Sequence, residues 1–469
     1  MTAQAPAHPP YAPSASTTQT ATLFRSRLVT PPQKPLGALR RITTFVRNPA
    51  ALWHEDMYVD GHMASRTFGK TYATVAWPDA IRTVLLDAVD CFERSYLMHR
   101  ILSEAMGRGL LTSDGEAWRR QRAIAAPVFR QQVLDGFVPV VDDAARGCAA
   151  RLRAGAGRER AVLPDMLTTA MDIIVETLFG EADFDRKQTV EDIGVYISTI
   201  GHADVFDLFN APQAVPRPWK AAGRRAVARL RATALAVLAQ KRADPGETRS
   251  LTARLLAARD PETGEGLSDT AIVDNVVTFI GAGHETTSVG LSWSLYLLAH
   301  APDLQDAVAE EARAALADGA SPDAIDKLEL TARVFQEAMR LYPPVAGLAR
   351  NVVKPVTVGP YDLAPGDHVT IAVLPLHRNR RLWPDADGFD PARFSPDAVK
   401  ARDKYAYLPF GAGPRICIGW KFAMMEGALI LARMVEACRF ALGDAAPPRP
   451  VIRITMRPEN GAPLVATPR

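Results

Sequence analysis

The chain has 469 residues, 48% hydrophobic and 23% charged, an ordinary globular composition with enough apolar residues for a large core. A formal charge of +3, with no basic stretch interleaved with aromatics, excludes a strong polyanion partner such as nucleic acid. The four cysteines (Cys91, Cys148, Cys417, Cys438) form no CxxC pair, which argues against a disulfide scaffold or a zinc ribbon and for a reducing, cytoplasmic compartment.

Residues 1–20 are rich in Ala, Pro, Ser and Thr and are expected to be a disordered tail; residues 21–469 are expected to form one domain. The tail lacks the charged and apolar regions of a signal peptide, and no apolar run of about 18 residues occurs, so no membrane anchor is expected. Two β-like runs, Met57–Met63 and Thr71–Ala76, flank Gly69 and predict a hairpin. Trp77-Pro78-Asp79 then opens a helix. Ser113-Asp114-Gly115-Glu116 has the spacing of a capping box and predicts a helix with Trp118 and Arg122 on one face. From Pro139 to Ala258 the pattern is of amphipathic helices, with Met166 to Phe179 buried and a break from Pro212 to Pro218.

Ser268 to His300 predicts the longest helix, capped at Ser268 and stopped before Pro302. Apolar residues lie on most of its faces, so it is expected to be buried. Its middle, Gly281-Ala282-Gly283-His284-Glu285-Thr286-Thr287, breaks that pattern with glycines, an acid and two alcohols. Each interior glycine costs about 1 kcal/mol relative to alanine, and local rules broken together mark functional sites. Small residues at 281–283 would let a flat cofactor approach. Thr286 would bond back to the Ala282 carbonyl and open a groove, with Glu285 beside it to relay protons. A polar groove with a satisfied Glu285 is the simpler alternative.

Leu328 to Leu341 predicts a helix carrying Glu337 and Arg340, whose spacing also suits an ordinary exposed pair. Val356 to Ile371 predicts short strands, and Asn460-Gly461 a hairpin between Val451–Met456 and Pro463–Ala466. Between them lies Phe410-Gly411-Ala412-Gly413-Pro414-Arg415-Ile416-Cys417-Ile418-Gly419, followed by an apolar helical run. A cysteine before a helix start sits near unpaired N–H groups, which favours thiolate. A buried thiolate calls for a cation. One cysteine does not make a zinc site, whereas a single axial thiolate suits haem iron, whose other ligands the porphyrin supplies. A structural cysteine in a glycine-rich turn is the alternative.

The pattern F-x-x-G-x-R-x-C-x-G, standing here as Phe410, Gly413, Arg415, Cys417 and Gly419, resembles the cytochrome P-450 family of haem-thiolate monooxygenases. Ala282, Gly283, Glu285, Thr286 and Thr287 are similar to the family's A-G-x-[D/E]-T-[T/S]. Glu337 and Arg340 match its E-x-x-R, with Arg393 of Pro391-Ala392-Arg393-Phe394 as the expected third member.

The resemblance covers residues 45 to 469 and implies a mainly α (α+β) fold, one large helical unit with two small β-sheets. The haem (heme b, iron protoporphyrin IX) would lie between the long helix and the Cys417 loop. Cys417 would be its metal ligand. Arg415, Trp118, Arg122 and Arg350 would hold the propionates, with Arg415 also supporting the thiolate. Ala282, Gly283, Phe410 and Gly411 would border the ring, and Glu285 and Thr286 would be catalytic.

The implied reaction inserts one atom of O2 into a small lipophilic organic substrate. A pocket of Thr278, Gly281, Val345, Ala346, Leu348 and parts of 92–110 suits such a molecule. Electrons would derive from NAD(P)H through a separate ferredoxin or flavodoxin-type carrier, with Arg119, Arg120 and Lys421 as docking charges. The chain is expected to be a monomer. A peroxide-driven or non-oxidative haem-thiolate enzyme, or a non-catalytic haem sensor, are the alternatives.

Overall fold

The structure is a computed structural model that describes residues 24–26, 30–32, 36–37, 40, 43–44, 47–67, 69–199, 215–244, 246 and 248–469. The tail expected at 1–20 and the start of the break expected at Pro212 lie outside the described residues. The longer helices are α1 (Tyr96–Met106), α2 (Gly115–Ala125), α3 (Val138–Ala154), α4 (Leu163–Phe179), α5 (Arg186–Thr199), α6 (Ala221–Ala243), α7 (Leu251–Ala257), α8 (Asp269–Ala299), α9 (Pro302–Ala315), α10 (Glu329–Leu341) and α11 (Trp420–Ala437).

α8 is the axis of the fold. Ser268 caps it by accepting from the Ala271 N–H at 3.2 Å. Its 31 residues span about 46 Å at 1.5 Å each. α4, α10 and α11 pack along it. At its C-terminal half, Trp293 stacks on Tyr342 with ring centroids 3.8 Å apart and donates to the Met456 carbonyl. Gly290 of α8 and Gly427 of α11 both lie against the Phe335 ring, so neither position has room for a larger residue unless that ring moves. Three helices thereby close on one aromatic side chain, at the density expected of a protein interior.

The largest sheet has five strands: β1 (His62–Thr67), β2 (Lys70–Val75), β3 (Phe92–Arg94), β4 (Gly347–Val352) and β5 (His368–Ala372), in the order β1-β2-β5-β4-β3. Only the β2–β5 pairing is parallel. The β3–β4 register sets Arg94 opposite Arg350. A three-stranded sheet joins Cys438–Ala441, Pro463–Pro468 and Glu159–Ala161. Among the described residues no helix is long and apolar enough to cross a membrane.

Three local expectations are corrected. The hairpin strand starts at His62, because residues 55–58 turn as a short 3-10 helix. The capping box does not form: the Ser113 hydroxyl donates to the carbonyls of Arg108 and Gly109, and Asp114 takes the cap position without capping. Asn460-Gly461 does not join a hairpin. Pro450–Ile452 pairs with Met456–Pro458, while Pro463–Pro468 pairs with Cys438–Ala441 and Glu159–Ala161.

Candidate functional site

The cysteine loop is fixed before any ligand is considered. Gly413 has φ +69°, and a Cβ there would stand 2.0 Å from the Leu85 carbonyl oxygen, so only glycine fits. The Cys417 N–H donates to the Phe410 carbonyl at 2.9 Å. Upstream, the Leu408 N–H donates to Nε2 of His377 at 2.7 Å. Burial lowers the His377 pKa to about 3, so a neutral ring accepts that bond.

His377 leads directly to the pair suggested by the sequence. Arg340 and Glu337 are fully buried and bidentate, at 2.6 and 2.7 Å. The remaining Arg340 N–H groups donate to the carbonyls of His377, Ala386 and Gly388, so all five donors are used. The exposed-pair alternative is thereby excluded. Arg393 comes near but is a looser third member. Its Nε lies 3.6 Å from Glu337 without a hydrogen bond, and its own donation goes to the Asp385 carbonyl.

Cys417 itself is exposed, yet burial is the strongest influence on its thiol and pushes the pKa up. Both hold for a sulfur on the floor of a cleft walled by protein. The Gly419 N–H and then the Arg122 guanidinium pull the pKa back. Arg122 is the cation that acts on the Cys417 thiol. Arg415 turns away, donating to Asp114 at 2.6 Å and to the Ser113 carbonyl, with its guanidinium carbon 4.2 Å from the Trp118 ring centroid. Phe410 and Gly411 are part-exposed in the same loop, and Gly411 faces Leu348 of β4.

Beside this loop three guanidiniums share one carboxylate. Burial, then Arg415 and Arg350, lower the Arg94 pKa to about 9. Burial and Arg415 lower that of Arg350 to about 10. Asp114 is the one anion acting on them, and Arg415 already holds it. The Arg94 Nε is buried with no hydrogen-bond partner. The cluster is thus short of negative charge, and a group bringing two carboxylates would satisfy it. Nothing in the sequence singled out Arg94; only its register opposite Arg350 does. These donors, with a cleft-floor thiol that needs a metal to ionise, fit a haem.

The middle of α8 forms another wall. Ala282 is exposed and Thr286 half-buried in the middle of a largely buried helix, so this pair, one turn apart, borders open space. The Thr286 hydroxyl donates to the Ala282 carbonyl at 2.8 Å, as the sequence suggested. Glu285 is buried and accepts from the Thr455 hydroxyl at 2.7 Å, with Arg457 3.8 Å away. The glycines have a different role from the one expected. Gly281 makes room for Met106 and Tyr196, and Gly283 for Ile174. Thr278 is buried, its hydroxyl bonded to the Asp274 carbonyl, rather than lining a pocket. Arg119 and Arg120 are occupied by Asp90 and Glu265, whereas Lys421 is exposed beside the exposed Trp420.

The comparisons agree with this geometry. The family model "Cytochrome P450" matches residues 55–464. A cytokinin hydroxylase of Arabidopsis thaliana is 31% identical over 80% of this chain and 74% of its own length. Cytochrome P450 4B1 of Rattus norvegicus is 32% identical over 77% and 75%. Among solved structures, the cytochrome P450DA heme domain superposes with a TM-score of 0.81 over 94% of this chain and 99% of that one, at 24% identity. Retinoic acid-bound cyanobacterial CYP120A1 superposes with a TM-score of 0.76 over 87% and 92%, at 26% identity. The chain belongs to the cytochrome P450 family: it is a haem-thiolate monooxygenase that uses O2, an organic substrate and a redox partner.

Proposed function

We propose that the Cys417 thiolate would hold the haem iron and that the chain oxygenates a lipophilic molecule bound in the cleft between the cysteine loop and the middle of α8. The observation that carries this is the exposed sulfur on the floor of a cleft beside a cation cluster short of two negative charges. When bound, the haem supplies reductive activation of O2.

The chain's own groups do the rest. Arg94 and Arg350 would hold the propionates, with Arg415 supporting them through Asp114 and Trp118 beneath its guanidinium. Arg122 steadies the sulfur's negative charge. Phe410 and Gly411 would border the haem in the cysteine loop, and Ala282 would border it on α8. The Thr286 hydroxyl would release the Ala282 carbonyl to pass its proton into the cleft, and Glu285, positioned by Thr455, would resupply it. Val345, Ala346, Leu348 and Met106 give the substrate an apolar lining. Retinoic acid, which the cyanobacterial neighbour binds, is a lipophilic molecule of that kind. Electrons come from NAD(P)H through a separate ferredoxin or flavodoxin-type carrier, supported by Lys421 and Trp420 lying exposed next to the loop.

The test is the spectrum of the reduced, carbon monoxide-bound protein. The red-shifted Soret band of thiolate ligation is expected, and Cys417→Ala should abolish it. Thr286→Ala should keep the band but lower product formed per electron consumed by on the order of 10²-fold, the low end for acid–base catalysis. A wild-type protein without that band would refute the haem-thiolate assignment of Cys417; unchanged coupling in Thr286→Ala would refute the relay.

A further inference from the structure

A Cβ built on Gly281 would stand 2.7 Å from Met106 Cε and 3.1 Å from Tyr196 Oη. Side chains from α1 and α5 therefore fill the volume that any larger residue at 281 would need, one position before the exposed Ala282. Met106 is apolar, and packing accounts for it. Packing does not account for Tyr196. The residue is 3% exposed and belongs to an apolar cluster with Met106, Ile174, Ile193 and Ile280. Its hydroxyl has no hydrogen-bond partner among the described residues.

The tyrosine is held by its buried ring, and phenylalanine would fill the same space, so the hydroxyl beside Gly281 is what packing leaves unexplained. Glu285, one turn along the same face of α8, does not pair with it: its Oε1 accepts from Thr455 instead. Burial and the negative charge of Glu285 both raise the tyrosine's pKa, so the hydroxyl keeps its proton and is a donor.

We infer that Tyr196 Oη donates a hydrogen bond to the bound substrate, holding an acceptor oxygen of an otherwise lipophilic molecule against the turn of α8 that carries Ala282. The inference rests on the haem-centred reading above and narrows its substrate class to oxygenated lipophiles: ketones, alcohols or carboxylates rather than hydrocarbons. Tyr196 is a specificity residue in this account. It takes no part in moving protons to the cleft.

Iron-anchored probes test this without knowledge of the substrate. N-alkylimidazoles of increasing chain length bind through the imidazole nitrogen and shift the Soret band. Matched probes ending in a methyl ketone or an alcohol differ only in the acceptor oxygen. In the wild type, at the chain length that reaches Tyr196, the oxygenated probe should bind about fivefold more tightly than its hydrocarbon partner, the worth of one hydrogen bond. Tyr196→Phe should bind the two equally and leave hydrocarbon-probe affinity unchanged. A purely structural tyrosine would change both probes together. If no chain length shows a wild-type preference, or if the preference survives in Tyr196→Phe, the inference is overturned. If the imidazoles give no Soret shift at all, the haem reading itself has failed.

Discussion

The floor that holds the Cys417 loop and a second region, here called the roof, where α1 and α6 pack against α8, are held by the same chemistry under opposite conditions. On the floor, Arg340 and Glu337 form an ion pair with neither side chain exposed and every guanidinium donor used. On the roof, Arg224 of α6 reaches Glu104 of α1 at 2.6 Å with side chains 46% and 20% exposed. A buried, fully satisfied pair has one geometry, and removing one member strands a charge in protein. A half-exposed pair has water as an alternative partner and parts at little cost. The floor is thus built to keep the Cys417 loop in one place. The roof helices are tied by contacts that solvent can replace.

The sharpest way to break this comparison is Arg340→Ala. It leaves the Glu337 carboxylate buried and frees the carbonyls of His377, Ala386 and Gly388. A loss of about 3–5 kcal/mol is expected. His377 carries the loop through Leu408, so haem retention should fall with stability. Haem content after purification and the thermal midpoint check this. A variant that kept both would show that the pair is not what fixes the loop.

A buried acid without a cation refines the rule. Glu426 of α11 is buried and, among the described residues, has only the Thr287 hydroxyl, 3.3 Å away, as a hydrogen-bond partner, and burial raises its pKa from 4.5 to about 8. The unfolded chain releases this proton near pH 4.5, whereas the folded chain keeps it until about pH 8. Between those values the folded state binds more protons, so stability falls as pH rises and levels off above pH 8. The total penalty is on the order of 5 kcal/mol. Glu426→Gln cannot ionise and should be more stable than the wild type at pH 8 but not at pH 4.5. Thermal midpoints of both proteins across that range decide it; parallel curves would mean that Glu426 already finds a charge partner.

Parts of the floor were legible in the sequence because they violate local rules. Glycines and a proline around Cys417, and glycines, an acid and alcohols inside a buried helix, stand out because they break the local pattern. Glu337 and Arg340 were legible as a spacing, but their burial was not. Arg94, His377, Glu426 and Tyr196 were missed because each is a single residue in an ordinary strand or helix, given meaning only by partners distant in sequence. The same tertiary competition undid two local readings. Ser113 and Asp114 have the composition of a helix cap, yet Arg108, Gly109 and Arg415 claim their side chains. Asn460-Gly461 suits a hairpin, yet the strand after it pairs with Cys438–Ala441.

The smallest expected effect sits on the roof. Arg224→Ala removes one partner of Glu104, but Lys220 remains 3.6 Å from the same carboxylate, its own side chain 2% exposed. The lost attraction is therefore partly replaced, and the exposed guanidinium was already screened by water. A change below about 1 kcal/mol is expected, shrinking further as salt is raised. Glu104→Gln should cost more, because it removes the carboxylate from two cations, one of them buried. Thermal midpoints of both variants at low and high salt separate these contributions. If Arg224→Ala proved as damaging as Arg340→Ala, exposure would not be what distinguishes the two regions, and the roof would have to be regarded as fixed in the same sense as the floor.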